Sequence, residues 1–215
     1  MNKKSLHFLL PVACILLFIA LYIIATFHYP GGSQADIHSP GFSWKNNYWC
    51  NLLNEKAING ETNNARPYAL VGMSILCVGL ILFWWMFSVA VVKNKWWKKL
   101  IPAAGTLAMA GAFFSFTSMH DLVINLASAC GLIALTGTLA GLYKQQWHLL
   151  FRWGLLNIIL VLLNNLFYYT PSLISYLPVI QKISFGVFLL WFSMISFRLL
   201  NTLPRRDQQL SGRKS

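Results

Sequence analysis

The fold is decided by the stretch FLLPVACILLFIALYIIATF, residues 8–27, which contains no charged side chain. A helix needs about 20 apolar residues to cross the hydrocarbon core of a bilayer. Strands of a membrane barrel alternate polar and apolar residues, and this stretch does not alternate. Every backbone group in lipid also needs a hydrogen-bond partner inside the protein, which a helix provides. The stretch therefore predicts a transmembrane helix.

Five further apolar runs have the length and composition of membrane-spanning helices. They are Pro67–Val92, Leu100–Thr117, Leu122–Tyr143, Leu149–Tyr169 and Pro178–Leu200. The whole chain is 57% hydrophobic and 10% charged, whereas a soluble domain usually carries about 25% charged residues. The sequence therefore predicts an all-α fold, a polytopic six-helix transmembrane bundle in which residues 1–215 form a single membrane domain.

Positive charges predict how these helices are oriented. Cytoplasmic loops of membrane proteins carry an excess of Lys and Arg. Of the 17 Lys and Arg residues, the side that contains the loop at residues 28–66 carries only Lys45, Lys56, Arg66 and Lys182. We therefore expect an outer loop at 28–66 and cytoplasmic N- and C-termini, with a tail at 201–215. The expected location is a bacterial inner membrane.

The net charge of +12 does not indicate nucleic-acid binding. Most basic residues lie in short hydrophilic breaks between apolar runs, where they contact lipid head groups. The sequence lacks the continuous basic stripe or stacking platform of nucleic-acid-binding proteins. We expect membrane lipids as partners and no nucleic acid, and the sequence identifies no protein partner.

The outer loop contains one segment with helical periodicity. Apolar pairs recur at positions 48/49, 52/53 and 57/58, and Gly60 follows as a residue type that commonly ends helices. The pattern predicts a short amphipathic helix over Asn47–Ile58. Its water-facing residues are predicted to be Asn51, Asn54, Glu55 and Lys56. Such a helix serves either as a structural cap on the bundle or as a lid over a ligand.

Small residues in the third and fourth helices predict that these helices pack closely. Spacings of about four residues let two backbones approach each other in lipid, and they occur among Ala104, Ala108, Ala112, Ala127, Gly131, Gly137 and Gly141. The fifth helix instead carries Asn157, Asn164 and Tyr168 along one face, with Asn165 adjacent. Amides in lipid need hydrogen-bond partners, so we expect this face to point into the bundle, where it joins helices or binds a ligand.

One candidate site follows from the predicted depth of the polar residues. Several helices and the outer loop bring polar side chains to the outer end of the bundle, and ionisable groups at membrane depth indicate a functional site. The candidate ligand-binding residues are Asp36, His38, His120, Asp121, Asn125, Asn164, Tyr168 and Lys182. We expect them to converge beneath the Asn47–Ile58 helix, with Lys182 and Asp121 as an ion pair.

Three interpretations of this cluster remain open. One is a Zn²⁺ site that activates water against a lipid ester or amide, with ligands from Asp36, His38, His120 and Asp121. In the second, His120 and Lys182 bind an anionic lipid head group. In the third, the residues are structural, because Asp121 caps the fourth helix and Lys182 extends its charge to the head groups.

No catalytic signature accompanies the cluster. Nucleophilic triads, phosphate-binding glycine loops, dinucleotide fingerprints and the H-E-x-x-H zinc motif are absent from the sequence. Internal repeats and broken helices, which are typical of transporters, are not evident either. We therefore expect a non-catalytic, lipid-associated binding or scaffold protein without a cofactor. The alternatives are a metal-dependent lipid hydrolase that uses the outer His/Asp cluster and a small transporter.

Short motifs accompany this helix arrangement. The loop contains NYWCNLL at 47–53 and NNARP at 63–67, and His120-Asp121 lies between the third and fourth helices. With the long outer loop, these motifs resemble the Frag1/DRAM/Sfk1 family of six-span membrane proteins and its bacterial relatives, over most of the chain. Those relatives carry a Ser-Asp-Leu-like segment where this chain has Cys50-Asn51-Leu52, so a carboxylate is missing here. Eukaryotic members are associated with lipid handling, and the resemblance implies a lipid-linked role.

Overall fold

The computed structural model of the protein describes residues 3–114 and 120–211, with side chains for residues 6–113 and 125–202. Over these residues the chain is helical and forms no β-strand. The described ranges contain six α-helices: α1 (Leu10–Phe27), α2 (Arg66–Val91), α3 (Lys95–Phe114), α4 (His120–Lys144), α5 (His148–Tyr169) and α6 (Leu177–Ser211). Short 3₁₀-helices cover Lys3–Leu9, Trp49–Leu53 and Ile174–Tyr176. The predicted all-α fold class is confirmed.

Five helical segments of the described chain are long and apolar enough to cross a membrane. They are Leu6–Phe27, Arg66–Val91, Asn125–Lys144, His148–Tyr169 and Ile174–Thr202. The predicted third span, Leu100–Thr117, is not among them. The first turns of α3 carry Lys95, Lys98 and Lys99, and the last residues of the predicted apolar run lie outside the described residues. The five apolar helices indicate association with a membrane, whereas six spans stay a prediction.

The residues group into two compact units. Unit 1 comprises Met1–Ile15, Ile75–Arg152 and Trp191–Ser215, and unit 2 comprises Leu16–Ser74 and Trp153–Leu190. The helices α3 and α4 belong to unit 1, whereas α1, α2, α5 and α6 contribute residues to both units. The loop between α1 and α2 belongs to unit 2. A single membrane domain over the whole chain stays a prediction.

In unit 1, α3 and α4 pack along each other. Ala104 and Ala108 of α3 are buried. A Cβ atom at Gly131 of α4 would lie 3.8 Å from the Cβ atom of Ala108, so the two helices are close to van der Waals contact there. Small side chains allow this approach, as they do between helices of membrane proteins. The predicted close packing is confirmed.

Aromatic side chains fill the interior of unit 1. The rings of Phe83 and Trp84 in α2 lie 4.4 and 5.5 Å from the ring of Phe192 in α6, measured between centroids. Trp191 is fully buried, and its indole N–H donates to the carbonyl of Leu150 in α5 over 2.7 Å. Aromatic rings bury large apolar areas and pack edge to face, so these contacts connect α2, α5 and α6.

Pro102 interrupts the hydrogen-bond ladder of α3, and a side chain of α2 compensates for the loss. Proline has no N–H, so the carbonyl of Lys98, four residues earlier, receives no bond from position 102. The buried Ser88 hydroxyl of α2 donates a hydrogen bond to that carbonyl. The bond joins α2 to α3 and satisfies a polar group that the proline would leave unpaired.

The loop between α1 and α2 (residues 28–65, the long loop) folds on itself in unit 2. Isolated β-bridges pair Gly31 with Pro40 and Lys56 with Thr62. Gly32 has a φ of +82°, and a Cβ atom there would lie 2.4 Å from a backbone nitrogen, so only glycine fits this position. The long loop therefore has a defined fold without regular secondary structure over most of its length.

Buried asparagines organise the long loop. Asn47, Asn51 and Asn63 are 0%, 5% and 3% exposed. The Nδ2 group of Asn63 donates to the carbonyls of Asn51, Leu52 and Asn54 over 3.0, 3.2 and 2.9 Å. An amide side chain both donates and accepts, so it can satisfy backbone groups that an irregular loop leaves unpaired. Asn51 and Asn63 belong to the two loop motifs that carry the family resemblance.

Only part of the segment Asn47–Ile58, which was predicted to form an amphipathic helix, is helical. The chain forms a 3₁₀-helix over Trp49–Leu53 and becomes extended at the next residue. The prediction that Asn51 faces water is wrong, because its side chain is buried and its Oδ1 atom accepts the N–H of Tyr48 over 2.7 Å. Gly60 does not end this helix, since it lies in a later turn with a φ of +86°.

Candidate functional site

The predicted site residues fall in both units. Unit 2 contains Asp36, His38, Asn164, Tyr168 and Lys182, and unit 1 contains His120, Asp121 and Asn125. The side chains of His120 and Asp121 lie outside the described residues, and Asn125 is exposed on α4. Convergence of the full set and the ion pair between Lys182 and Asp121 therefore stay predictions.

Asp36 and His38 form a surface turn in the long loop. Both side chains are exposed. The Oδ1 atom of Asp36 accepts the backbone N–H of His38 over 2.9 Å, and the Asp36 carbonyl accepts the Ser39 hydroxyl over 2.9 Å. A carboxylate that bonds the backbone two residues later is common in turns. Among the residues with described side chains, no three His, Cys, Asp or Glu form a group that could hold a metal ion.

Lys182, near the start of α6, is held by carbonyl groups. Its Nζ atom donates to the carbonyl of Asn47 over 2.5 Å and to the carbonyl of Pro178 over 2.9 Å. The same ammonium lies 5.8 Å from the ring centroid of Phe42. These contacts replace part of the water around a half-buried charge, and they attach the long loop to α6.

Unit 2 contains a groove of about 470 Å³ between α5 and α6, which we call the α5–α6 groove. Its α5 side is formed by Asn157, Val161, Asn164, Asn165 and Tyr168, and its α6 side by Leu177, Gln181, Ser184, Phe185 and Phe188. On each helix most of these positions are three or four residues apart, so they share one face. The groove brings Asn164 and Tyr168 together with residues that were not predicted to form the site.

Asparagine amides arrange the polar part of the groove. The Nδ2 groups of Asn157 and Asn165 donate to carbonyls four residues earlier in α5, over 2.9 and 3.0 Å. Asn164 Nδ2 donates to the Leu160 carbonyl over 2.8 Å and to the Ser184 hydroxyl of α6 over 2.6 Å. No hydrogen bond to the Oδ1 atoms of these asparagines is found among the described residues, so these acceptors are available to a ligand.

The amide face of α5 is only partly buried. Asn157 is 3% exposed and Asn164 is half-buried, but Asn165 is exposed and Tyr168 is 60% exposed. The expectation that this face points into the bundle is wrong at Tyr168, and the adjacent Asn165 is exposed as well. Successive residues of a helix point about 100° apart, so Asn165 turns outward when Asn164 turns toward α6. The polar groups of Asn165 and Tyr168 therefore lie on the exposed side of α5.

The long loop contacts the α6 side of the groove. The backbone N–H of Trp49 donates to Gln181 Oε1 over 3.4 Å. The Trp49 indole packs edge-on against Phe18 and Phe185, with ring centroids 5.9 and 5.5 Å apart. These contacts support the predicted role of this segment as a cap, because aromatic packing holds it against α1 and α6.

Two tyrosines of the long loop stay un-ionised. Burial raises the pKa of Tyr29 above its ordinary value of 10.0, although the N–H of Ile58, which donates to the Tyr29 oxygen over 3.0 Å, partly offsets this. Burial also raises the pKa of Tyr48 above 10.0, and the neighbouring Cys50 and Tyr168 raise it further. Both phenols are therefore neutral hydrogen-bonding groups at pH 7.

Ser184, Phe185 and Phe188 are groove residues that the sequence prediction missed. Their signal in the sequence is the helical spacing of positions 177, 181, 184, 185 and 188, which matches the spacing of the polar face of α5. Most of these α6 positions are apolar. In a membrane-spanning helix, apolar residues that line a groove look the same as apolar residues that face lipid.

Comparison of the chain with protein-family models, curated proteins and solved structures found no match in any of the three. The chemistry of the α5–α6 groove therefore carries the functional interpretation. Among the described residues, no carboxylate, imidazole or amine lines the groove. The groove combines neutral hydrogen-bonding groups with aromatic and aliphatic side chains. This combination suits a ligand that has an uncharged polar group attached to an apolar chain.

Proposed function

We propose that this chain is an integral membrane protein that binds a membrane lipid in the α5–α6 groove without changing it chemically. The observation that carries the proposal is the groove, in which asparagine Oδ1 atoms and Gln181 lie beside Val161, Phe185 and Phe188 on two apolar helices. A lipid joins apolar chains to ester, amide or hydroxyl groups. The groove offers a complementary surface to each of these parts.

Hydrocarbon surroundings favour such recognition. A polar group without a partner in the bilayer core costs several kcal/mol, so groove acceptors and a lipid hydroxyl or amide satisfy each other. The exposed surface of α5 beside the groove is apolar, with Val161 54%, Leu162 63% and Leu166 54% exposed. A lipid can therefore enter sideways from the bilayer, and its acyl chains can stay in contact with other lipids.

The distribution of basic residues and two loop motifs further support the proposed topology and the lipid-linked role. The distribution of the 17 Lys and Arg residues supports six spans, cytoplasmic termini and an outer long loop in a bacterial inner membrane. The resemblance of the 47–53 and 63–67 motifs to the Frag1/DRAM/Sfk1 family supports lipid handling. No observation among the described residues favours the hydrolase or the transporter alternative.

Removal of the groove's polar groups is expected to lower lipid binding. The variant Asn164→Leu/Gln181→Leu replaces two amide side chains by apolar ones and removes two hydrogen-bonding partners, which contribute about 0.5–1.5 kcal/mol each. Retention of phosphatidylethanolamine by the purified protein should fall about tenfold, measured by native mass spectrometry after transfer from bilayer nanodiscs.

A control variant separates groove chemistry from general effects. Asn201→Leu makes the same change at an exposed position of α6 that does not line the groove. We expect this control to retain lipid within about twofold of the unaltered chain. An equal loss in Asn201→Leu, or no loss in the double variant, would contradict lipid binding in this groove.

The proposed topology predicts which cysteines a membrane-impermeant maleimide reaches in intact cells. Cys50 of the long loop is exposed, and Cys14, Cys77 and Cys130 lie in α1, α2 and α4. We expect labelling of the unaltered chain and none of Cys50→Ser, because Cys50 faces outward. A Ser215→Cys residue added to Cys50→Ser should react only after cell lysis. Its labelling in intact cells would place the C-terminus outside and overturn the topology.

A further inference from the structure

A second cavity, of about 250 Å³, lies within unit 1, at the turn between α2 and α3 and the end of α4. The residues that line it include Lys93, Asn94, Trp97, Ala140 and Lys144. It is more enclosed than the α5–α6 groove, and a larger share of its lining is polar. Its volume lies below the usual range of about 300–1,000 Å³ for drug-sized ligands, so it suits a small group.

Hydrogen bonds define the walls of this cavity. Gln145 Nε2, just after α4, donates to the Val91 carbonyl at the end of α2 over 3.1 Å. The Oδ1 atom of Asn94 caps α3 by accepting the backbone N–H groups of Trp96 and Trp97 over 3.0 and 3.2 Å. Three helix ends are thus held around one small space.

Three side chains that line the cavity supply hydrogen-bond donors. Carbonyl groups at the end of α4 already accept the N–H groups of residues 145–147 over 3.0–3.1 Å. The Val91 carbonyl and the Asn94 Oδ1 atom are also engaged. The side chains of Lys93, Asn94 and Lys144 are exposed at the cavity, and no hydrogen bond from their ammonium and Nδ2 groups is found among the described residues. These three donor groups can therefore meet a ligand beside the N-terminus of α3.

The positive charge of this cavity has no compensating carboxylate nearby in the sequence. No Asp or Glu occurs between Glu61 and Asp121, or between Asp121 and Asp207. Asp121 lies near the start of α4 and Lys144 at its end, so a helix of 25 residues separates the two charges. Two lysines that line one small cavity without a carboxylate beside them favour the binding of an anion there.

We propose that this cavity binds a phosphate group, and that its source is the head group of an anionic phospholipid. Lys93 and Lys144 supply two ammonium donors to the phosphate oxygens, and Asn94 supplies an amide donor. Trp97 forms an aromatic wall of the kind that lies at the level of lipid head groups. Basic pockets between membrane helices commonly bind such head groups. The proposal is independent of the α5–α6 groove, which contains no cation.

The test uses the full chain in phosphatidylcholine nanodiscs, with increasing fractions of phosphatidylglycerol and lipid binding measured by native mass spectrometry. Lys93→Gln/Lys144→Gln should weaken phosphatidylglycerol binding at least about tenfold. The control Lys95→Gln/Lys99→Gln removes the same charge from the start of α3, at positions that do not line the cavity. It should change binding by less than about twofold.

A second variant tests the cavity without a change of charge. Ala140 is exposed and lines the cavity, so the indole of Ala140→Trp should fill it. We expect this variant to weaken phosphatidylglycerol binding at least as strongly as Lys93→Gln/Lys144→Gln does, and to keep the thermal midpoint of the unaltered chain. Equal effects of the two lysine pairs, or unaltered binding in Ala140→Trp, would overturn the proposal.

A parallel titration with inorganic phosphate identifies the source of the anion. We expect millimolar phosphate not to displace phosphatidylglycerol, since the lipid also gains from its acyl chains. Binding of inorganic phosphate with no preference for phosphatidylglycerol would overturn the assignment to a lipid.

Discussion

Replacement of Asn63 by Leu should destabilise unit 2 by about 3 kcal/mol or more. Three carbonyls of the long loop share the Asn63 Nδ2 donor, and Asn63 Oδ1 accepts the N–H of Ala65 over 3.1 Å. Leucine has as many side-chain heavy atoms as asparagine but no polar atom, so buried backbone groups would lose their partner without gaining water. We expect the thermal midpoint in detergent to fall by about 6–12 °C.

The adjacent residue provides a matched control for this variant. Asn64 is exposed, so Asn64→Leu should change stability by less than about 0.5 kcal/mol. Limited trypsin digestion gives a second measurement, because Lys45 and Lys56 lie exposed in the long loop. Asn63→Leu should be cleaved there at lower trypsin concentrations than either the unaltered chain or Asn64→Leu. Equal midpoints for the two variants would contradict the organising role of Asn63.

Replacement of Gly105 by Ala should destabilise unit 1 by about 1–3 kcal/mol, although alanine favours helices more than glycine does. A Cβ atom at position 105 would lie 2.4 and 2.5 Å from the Cε3 and Cδ2 atoms of the Trp84 indole. Trp84 is 2% exposed and packs against Phe83 and Phe192, so its rigid ring has no space to move into.

The same substitution at Gly131 should stabilise the protein instead of destabilising it. The nearest atom to a Cβ at position 131 is the Cβ of Ala108 at 3.8 Å, which is an ordinary contact. Gly131→Ala should therefore gain up to about 1 kcal/mol from helix propensity. Thermal midpoints of the two variants in the same detergent provide the comparison. A higher thermal midpoint in both variants would show that Trp84 leaves room for a Cβ atom at position 105.

The bounds of α1, α2, α4 and α5 agree with the predicted runs to within two residues, whereas α3 begins before its run and α6 ends after its run. The first apolar run ends at Phe27, as α1 does, and the predicted run Leu149–Tyr169 corresponds to α5 at His148–Tyr169. The interior proline at position 102 is visible in the sequence, but its partner Ser88 is not. A helix tolerates such a proline only because another helix supplies the missing donor.

The long loop shows where local patterns fail. Its apolar pairs have helical periodicity, yet the helix covers only Trp49–Leu53. Asn51 and Asn63 look like solvent-facing residues in the sequence, because their type is usually exposed. They are buried because irregular backbone around them needs donors and acceptors. Which asparagine serves this purpose depends on contacts within the folded loop, and not on the residues next to it.

The sequence by itself determined the positions of the apolar helices and the uneven distribution of basic residues, because the cost of placing a segment in lipid depends on its own length and composition. Tertiary structure decided which polar side chains share a site. Asn164 meets Ser184 because α5 packs beside α6, and Lys182 bonds to Asn47, 135 residues away in the chain. A hydrogen bond requires partners within about 3 Å, and such proximity between distant residues arises only when the chain folds.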